Sequence, residues 1–178
     1  MGNCKELLFD DIVRVYPLSK GTLKHLVPDT VRKDVVLINE IQQGDGTAFA
    51  SLDALHTWLG TKARFTQWET DEVLPLVLDQ PAQVRLSREY DINGYTYAIT
   101  VTLELKKYES TEKAIVRQIE RTGHDFIVER EDGALALLRL FDPAQKITSE
   151  QSERDGQHGA TVTIKMKNVN GMQEITQN

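Results

Sequence analysis

The histidines and the single cysteine are the residues of this sequence whose chemistry would suit a transition metal. Zinc sites are built from Cys and His side chains at short, recurring spacings. No His-x-x-x-His, Cys-x-x-Cys or His-Glu-x-x-His occurs here. The residues concerned are His25, His56, His124, His158 and Cys4. We therefore expect no metal ligands and no cofactor.

The His124-Asp125 pair is the one dipeptide with a metal-binding character. It follows a predicted helix directly, and no second pair of this kind accompanies it. The C-terminal end of a helix dipole favours a positive charge. We interpret His124 as a histidine at a helix terminus rather than as a ligand.

Two acidic clusters could serve glycoside hydrolysis or hold a hard cation. They are Asp10-Asp11 and Glu69-x-Asp71-Glu72, and neither has the alternating acids and central glycine of a calcium loop. We interpret both as solvated loops. Nucleophile elbows, phosphate-binding glycine loops and dinucleotide fingerprints are also absent from the sequence. The sequence therefore predicts no enzyme, although residues brought together only by the fold remain an alternative.

Composition narrows the class of protein further. The chain has 178 residues, with 21 basic and 27 acidic side chains and a net charge of −6. Affinity for DNA depends on neutralising phosphates with Lys and Arg, and these are spread along the chain, so we expect no direct nucleic-acid binding. No stretch approaches the roughly 18 apolar residues of a membrane span. The first residues lack the apolar core of a signal peptide, which favours a cytoplasmic start and no membrane partner.

The clearest structural pattern runs from Val84 to Leu105. Apolar and polar residues alternate on both sides of Asn93-Gly94, which is a preferred two-residue hairpin turn. That turn places Ile92 opposite Tyr95 and Tyr90 opposite Tyr97, and it continues to Leu86 opposite Val101 and Val84 opposite Leu103. The pattern predicts a hairpin with one apolar face, interrupted only where Arg88 would lie opposite Ile99.

Helices are predicted at 52–59, ending at Gly60, and at 111–122, with Ser110 as N-cap and Gly123 at the C-terminus. Ala114, Ile115, Val116 and Ile119 would form the buried stripe of the second helix. Further strands are predicted at 12–16, 35–41 (alternatively a short helix), 64–68, 73–78, 126–129, 134–140, 162–166 and 172–175, with 134–140 covered on both faces.

These elements predict an α+β fold, in which antiparallel β-hairpins form a sheet or a small sandwich or barrel with one or two packed helices. Residues 1–80 are predicted to be a mixed α/β region of poorly defined pattern, and residues 81–178 a β-rich domain that contains the helix 111–122. One continuous domain is the alternative.

Two features are candidates for an interface. Tyr90, Tyr95 and Tyr97 lie on one face near the hairpin tip, where they either pack within the subunit or contact a neighbour. The polar segment 142–160 is too poor in apolar residues to offset its ordering entropy. We expect it to be loosely ordered until it meets a neighbouring copy, or else to be an idle surface loop. The candidate contact residues in and beside it are Ile147, Glu150, Arg154 and His158.

From residue 83 onward the chain follows a fixed order of hairpin, helix, the segment 125–138 (Asp-Phe-Ile-Val-Glu-Arg-Glu-Asp-Gly-Ala-Leu-Ala-Leu-Leu), polar loop, and the strand 159–166 (Gly-Ala-Thr-Val-Thr-Ile-Lys-Met). This order resembles small structural proteins of tailed phages of Bacteroides-type bacteria, with the tail ring proteins of crAss-like phages as the nearest group. The resemblance covers about half of the chain and leaves residues 1–80 without a counterpart.

The resemblance implies a virion structural protein, a subunit of a homo-oligomeric ring in the head–tail connector or tail, assembled in the host cytoplasm. Its partners would be copies of itself and other virion proteins, such as the portal and neighbouring tail or ring proteins. It implies no catalytic residues. The alternatives are a non-catalytic binding module for a glycan or protein partner, and an enzyme whose site is assembled in space.

Overall fold

The computed structural model describes residues 6–68, 75–92, 94–140, 148–153 and 159–178. Its elements in chain order are β1 (Glu6–Ser19), β2 (Leu23–His25), β3 (Val35–Leu37), a 3-10 turn (Ile38–Glu40), β4 (Ile41–Gln43), α1 (Leu52–Leu59), β5 (Arg64–Thr66), β6 (Pro75–Val77), β7 (Ala82–Asp91), β8 (Gly94–Leu105), α2 (Ser110–Arg121), β9 (His124–Arg130), β10 (Leu135–Leu138), β11 (Thr148–Glu153), β12 (Ala160–Asn168) and β13 (Met172–Thr176). The predicted α+β class is confirmed.

One large sheet contains every described strand except β2 and β4, which pair with each other. Its order is β11-β12-β8-β7-β1-β9-β10-β13-β3, with β5 attached to β1 and β6 to β5. The pairs are antiparallel except β13 with β3 and β5 with β6. Strands from both predicted regions, 1–80 and 81–178, therefore belong to the same sheet.

Strand β1 lies in the middle of this sheet and changes partners along its length. Its first residues pair with β7, from Glu6 opposite Ser87 onward, and its later residues pair with β9, up to Ser19 opposite His124. The register shifts near Ile12 on both sides. An irregularity of this kind bends a strand and increases its local twist.

Each face of the sheet carries a hydrophobic core. Helix α2 covers one core through Val116 and Ile119, and helix α1 covers the other through Leu55 and Leu59. Strands β9 and β10 contribute alternate residues to the two cores, which confirms the prediction that 134–140 contains a strand covered on both faces. Full burial of one such side chain stabilises the fold by about 1.5–3 kcal/mol.

The helix predictions differ in accuracy. Helix α1 has the predicted bounds, and the Ser51 side chain caps it by accepting a hydrogen bond from Ala54 N at 3.1 Å. Helix α2 begins one residue before its predicted start, at Ser110. The N-cap is therefore Glu109 and not Ser110, and the Glu109 side chain makes no capping hydrogen bond. Val116 and Ile119 are buried as predicted, but Ala114 is exposed.

The β7–β8 hairpin has the predicted faces but not the predicted register. Tyr90 pairs with Tyr95, Arg88 with Tyr97, Leu86 with Ile99 and Val84 with Val101, a shift of two residues. Because strand side chains alternate with a period of two, the shift keeps the same residues on each face. It also moves Arg88 from opposite Ile99 to opposite Tyr97, whose hydroxyl accepts its hydrogen bond at 2.9 Å. Arg88 therefore stays on the same face of the hairpin, where its guanidinium group contacts the rings of Tyr95 and Tyr97.

Part of the polar segment 142–160 is a strand, contrary to its prediction as a loosely ordered loop. Residues Thr148–Glu153 form β11 and pair with β12 at the outer edge of the sheet. An edge strand with polar side chains lacks the apolar alternation by which strands are recognised. The predicted strand 35–41 divides into β3, the 3-10 turn and the first residue of β4. No helix in the described ranges is long and apolar enough to cross a membrane.

Candidate functional site

The tip of the β7–β8 hairpin is the most exposed apolar surface on a strand pair. Ile92 is 100% exposed and Tyr90 is 64% exposed. We call Ile92 and Tyr90 the tip patch. Aromatic side chains are enriched at protein interfaces, and a grouped apolar surface of this kind indicates a contact site.

Two arginines hold the base of the tip patch. The guanidinium groups of Arg32 and Arg88 lie over the ring of Tyr95, at 3.9 Å and 4.6 Å from its centroid. Arg32 also donates from Nη2 to the Tyr95 carbonyl oxygen at 2.7 Å. Guanidinium groups stacked on aromatic faces contribute roughly 0.5–2 kcal/mol each. The partly buried Tyr95 is therefore fixed within the subunit, and the more exposed ring of Tyr90 packs edge-to-face against it at a centroid distance of 5.8 Å.

Tyr97 lies deeper in the same group. Its ring centroid is 6.0 Å from that of Tyr95 in an edge-to-face arrangement, and a Cβ at Gly171 would lie 3.3 Å from its ring. Hydrogen bonds with Tyr90 and Tyr97 raise the pKa of Arg88 above its ordinary value. Arg88 thus remains a permanent cation beside the tip patch, and its guanidinium group packs on the rings of Tyr95 and Tyr97.

A second apolar feature lies elsewhere on the chain. It is a pocket of about 300 Å³ formed where β1, β10 and β13 meet the segment before β3. Its apolar lining includes Phe9, Val35, Leu135 and Met172, and Asp34, Glu174 and Arg130 also line it. We call it the acceptor pocket. The sequence did not reveal it, because its residues come from strands that only the fold brings together.

The other predicted interface residues fall at the outer edge of the sheet or outside the described residues. Glu150 lies on β11, exposed, with an oxygen 3.3 Å from Lys165 Nζ. Ile147, Arg154 and His158 lie outside the described residues.

The predicted chemical candidates are distributed as follows. Asp10 and Asp11 lie on strand β1 and not in a solvated loop, and Asp11 forms an ion pair with Arg130 at 3.0 Å. Glu69, Asp71 and Glu72 lie outside the described residues. Groups of three or more His, Cys, Asp and Glu that would hold a metal do not occur in the part of the chain that the structure describes.

His124 begins strand β9, one residue after the turn that ends helix α2. Burial lowers the pKa of His124, although its hydrogen bond to the Thr122 carbonyl, at 2.9 Å, and the charge of Asp125 oppose the shift. The predicted position after the helix is thus confirmed. The pKa of His124 shifts in the direction opposite to that expected for a cation at a helix end, because desolvation outweighs the hydrogen bond to Thr122 and the charge of Asp125.

His25 and Asp125 form a pair that sequence spacing could not indicate. His25 Nε2 lies 2.8 Å from Asp125 Oδ2, although the two residues are 100 positions apart. The other oxygen of Asp125 accepts from Leu140 N at 2.8 Å. Both carboxylate oxygens are therefore engaged, and the imidazole is held in one orientation.

Comparison of the chain with protein-family models, curated proteins and solved structures yields no match.

Proposed function

We propose that the protein is a non-catalytic structural subunit of a homo-oligomeric ring in the head–tail connector or tail of a tailed phage. The fully exposed Ile92 beside Tyr90, at the end of a hairpin whose base is firmly held, is the observation that carries this proposal. The order of elements from residue 83 onward, which resembles phage ring proteins, suggests the virion as its setting.

A ring requires a heterologous interface, in which one surface of a subunit meets a different surface of the next copy. The tip patch and the acceptor pocket are two such surfaces on one chain. One is convex and apolar, and the other is concave with an apolar lining of about 300 Å³. Insertion of the tip patch of one copy into the acceptor pocket of the next would bury Ile92 and Tyr90.

Charge favours the same pairing. Arg32 and Arg88 flank the tip patch, and Asp34 and Glu174 line the acceptor pocket. Neither acidic residue makes an ion pair with another described residue, and the remaining charge at the pocket, Arg130, is paired with Asp11. Complementary charge around an apolar contact fixes its register and suppresses other partners.

The test is the copy number and symmetry of the protein in assembled particles. Particles that contain the protein are purified, their other proteins are identified by mass spectrometry, and the particles are averaged by electron cryomicroscopy. We expect a cyclic ring of identical copies next to portal or tail proteins. A single copy, a two-fold dimer, or an assembly without other virion proteins would overturn the proposal.

A second candidate is a non-catalytic module that binds a glycan or an unrelated protein. The exposed ring of Tyr90 favours it, because such a ring offers a flat stacking surface as well as a subunit contact. Saturable binding of a glycan by the monomer, lost in Tyr90→Ala while the protein fails to form rings, would favour this candidate over the first.

A further inference from the structure

A cleft on the side of the sheet where β1 ends and β9 begins has no part in the proposed ring contact. Its volume is about 340 Å³. Strand β2 and the turn before it form one wall, and the ends of β9 and β10 form the other. The ionisable residues that line it are Lys20, Lys24, His25, Asp29, His124, Asp125 and Arg139.

Three permanent cations face two carboxylates in this cleft, which makes it locally positive in a chain of net charge −6. Lys20 and Lys24 are exposed at its walls, and neither forms an ion pair within the part of the chain that the structure describes. The Asp125 carboxylate is already bound on both oxygens, by His25 and by the backbone of Leu140. With Asp29, two carboxylates oppose the three cations, which leaves one cation in excess among these five groups.

Arg139 is more buried than Lys20 and Lys24, the other two cations of the cleft. Its Nη1 donates to the carbonyl oxygen of Val27 at 2.5 Å, and this is one of the five N–H donors of a guanidinium group. Burial lowers the pKa of Arg139, and the charges of Asp29 and Asp125 offset this only in part. An anion that binds beside a partly desolvated guanidinium group stabilises it, and the remaining N–H groups of Arg139 could donate to that anion.

We propose that this cleft is a binding site for a small ligand that carries a phosphate or carboxylate group. Arg139 would hold two oxygens of that group with its planar fork, as guanidinium groups do with both anions. Lys20 and Lys24 would supply charge from the walls. The ring nitrogens of His124 and His25 that do not contact Thr122 and Asp125 would be available to the rest of the ligand.

The test uses the full chain and two probes, inorganic phosphate and succinate, at constant ionic strength. Binding is measured by isothermal titration calorimetry and by movement of the amide NMR signals of residues 20–25 and 123–125. We expect saturable binding of at least one probe, localised to these amides. Phosphate alone would identify a phosphate ligand, succinate alone a carboxylate ligand, and binding of both a site for either group.

The variant Lys20→Gln/Lys24→Gln is compared with the matched control Lys165→Gln/Lys107→Gln, whose lysines are exposed and lie outside the cleft. We expect the cleft variant to bind the probe about tenfold more weakly, and the control to bind like the wild type. Because the lysines are exposed, both variants should fold normally. Absence of saturable shifts, or an equal loss in the control, would overturn the proposal. The ring measurement is unaffected by either result.

Discussion

Replacement of Ile92 with aspartate separates the role of the tip patch in assembly from any role in folding. The Ile92 side chain is 100% exposed in the single subunit, so it contributes no burial to the fold. We expect the free energy of unfolding of Ile92→Asp to stay within about 0.5 kcal/mol of the wild type, as for other surface substitutions. The change should therefore be invisible to urea denaturation.

Assembly should respond strongly. Burying an isoleucine side chain in the acceptor pocket would contribute about 1.5–3 kcal/mol, all of which the substitution removes. Since 1.4 kcal/mol corresponds to a factor of ten, each contact should weaken roughly 10- to 100-fold. The new carboxylate would also face Asp34 and Glu174, which adds repulsion. Every subunit of a ring loses the same contact, so rings should disappear at concentrations where the wild type forms them.

The assay combines sedimentation velocity over a concentration series with ring counts in negative-stain micrographs of particles. The matched control is Leu26→Asp, which changes another exposed apolar side chain, 46% exposed, that belongs neither to the tip patch nor to the acceptor pocket. Normal ring yield from Ile92→Asp, or an equal loss in the control, would refute the role given to the tip patch. A loss of stability above about 1 kcal/mol would contradict the exposure itself.

Three further predictions concern residues inside the fold. Gly159→Ala would place a Cβ 2.5 Å from the Leu105 carbonyl oxygen, so urea titration should show about 1–3 kcal/mol of destabilisation, and a neutral result would contradict this close approach. Arg64→Leu removes the hydrogen bonds to the carbonyls of Leu59, Gly60 and Lys62 at the end of helix α1. We expect urea titration to show a loss of at least about 2 kcal/mol in the free energy of unfolding. Unchanged stability would show that these hydrogen bonds are dispensable. Burial lowers the pKa of His124 in the folded protein below 6.5, the ordinary value that it has in the unfolded chain. The unfolded chain therefore binds this proton more tightly. We expect the stability that is present above pH 6.5 to be lost as the pH falls through the lower pKa of the folded state. His124→Asn should flatten this part of the urea-midpoint profile, and an identical profile would assign the slope to another group.

The sequence was informative where local chemistry decides the structure. Helix α1 follows from Ser51 as an N-cap, an apolar stripe and Gly60, and all of these lie within ten positions. The faces of the β7–β8 hairpin follow from alternation alone. The register of the hairpin could not be predicted from the turn, because turn preferences carry no information about the contacts of Arg88 with Tyr95 and Tyr97.

Features made by distant residues could not be predicted in this way. Strand β11 is polar on both faces because it lies at an edge of the sheet, and nothing in its own residues reports that position. The pair His25–Asp125 and the acceptor pocket arise from strands that are far apart in the chain. The tyrosines of the hairpin were identified from their sequence, but their division into a fixed Tyr95 and an exposed Tyr90 depends on Arg32, which lies about sixty residues earlier.

The central position of β1 has a consequence for synthesis of the chain. The strand leaves the ribosome before all of its partners, which are β5 (Arg64–Thr66), β7 from residue 82 onward, and β9 up to residue 130. The edge that pairs with β9 must remain unpaired while about a hundred further residues are translated, and the edge that pairs with β5 and β7 is completed earlier. Pairings over such separations form slowly, and an unpaired apolar strand is prone to aggregate in the meantime. We therefore expect folding to be essentially post-translational, and nascent chains truncated before residue 130 to depend on a chaperone for solubility.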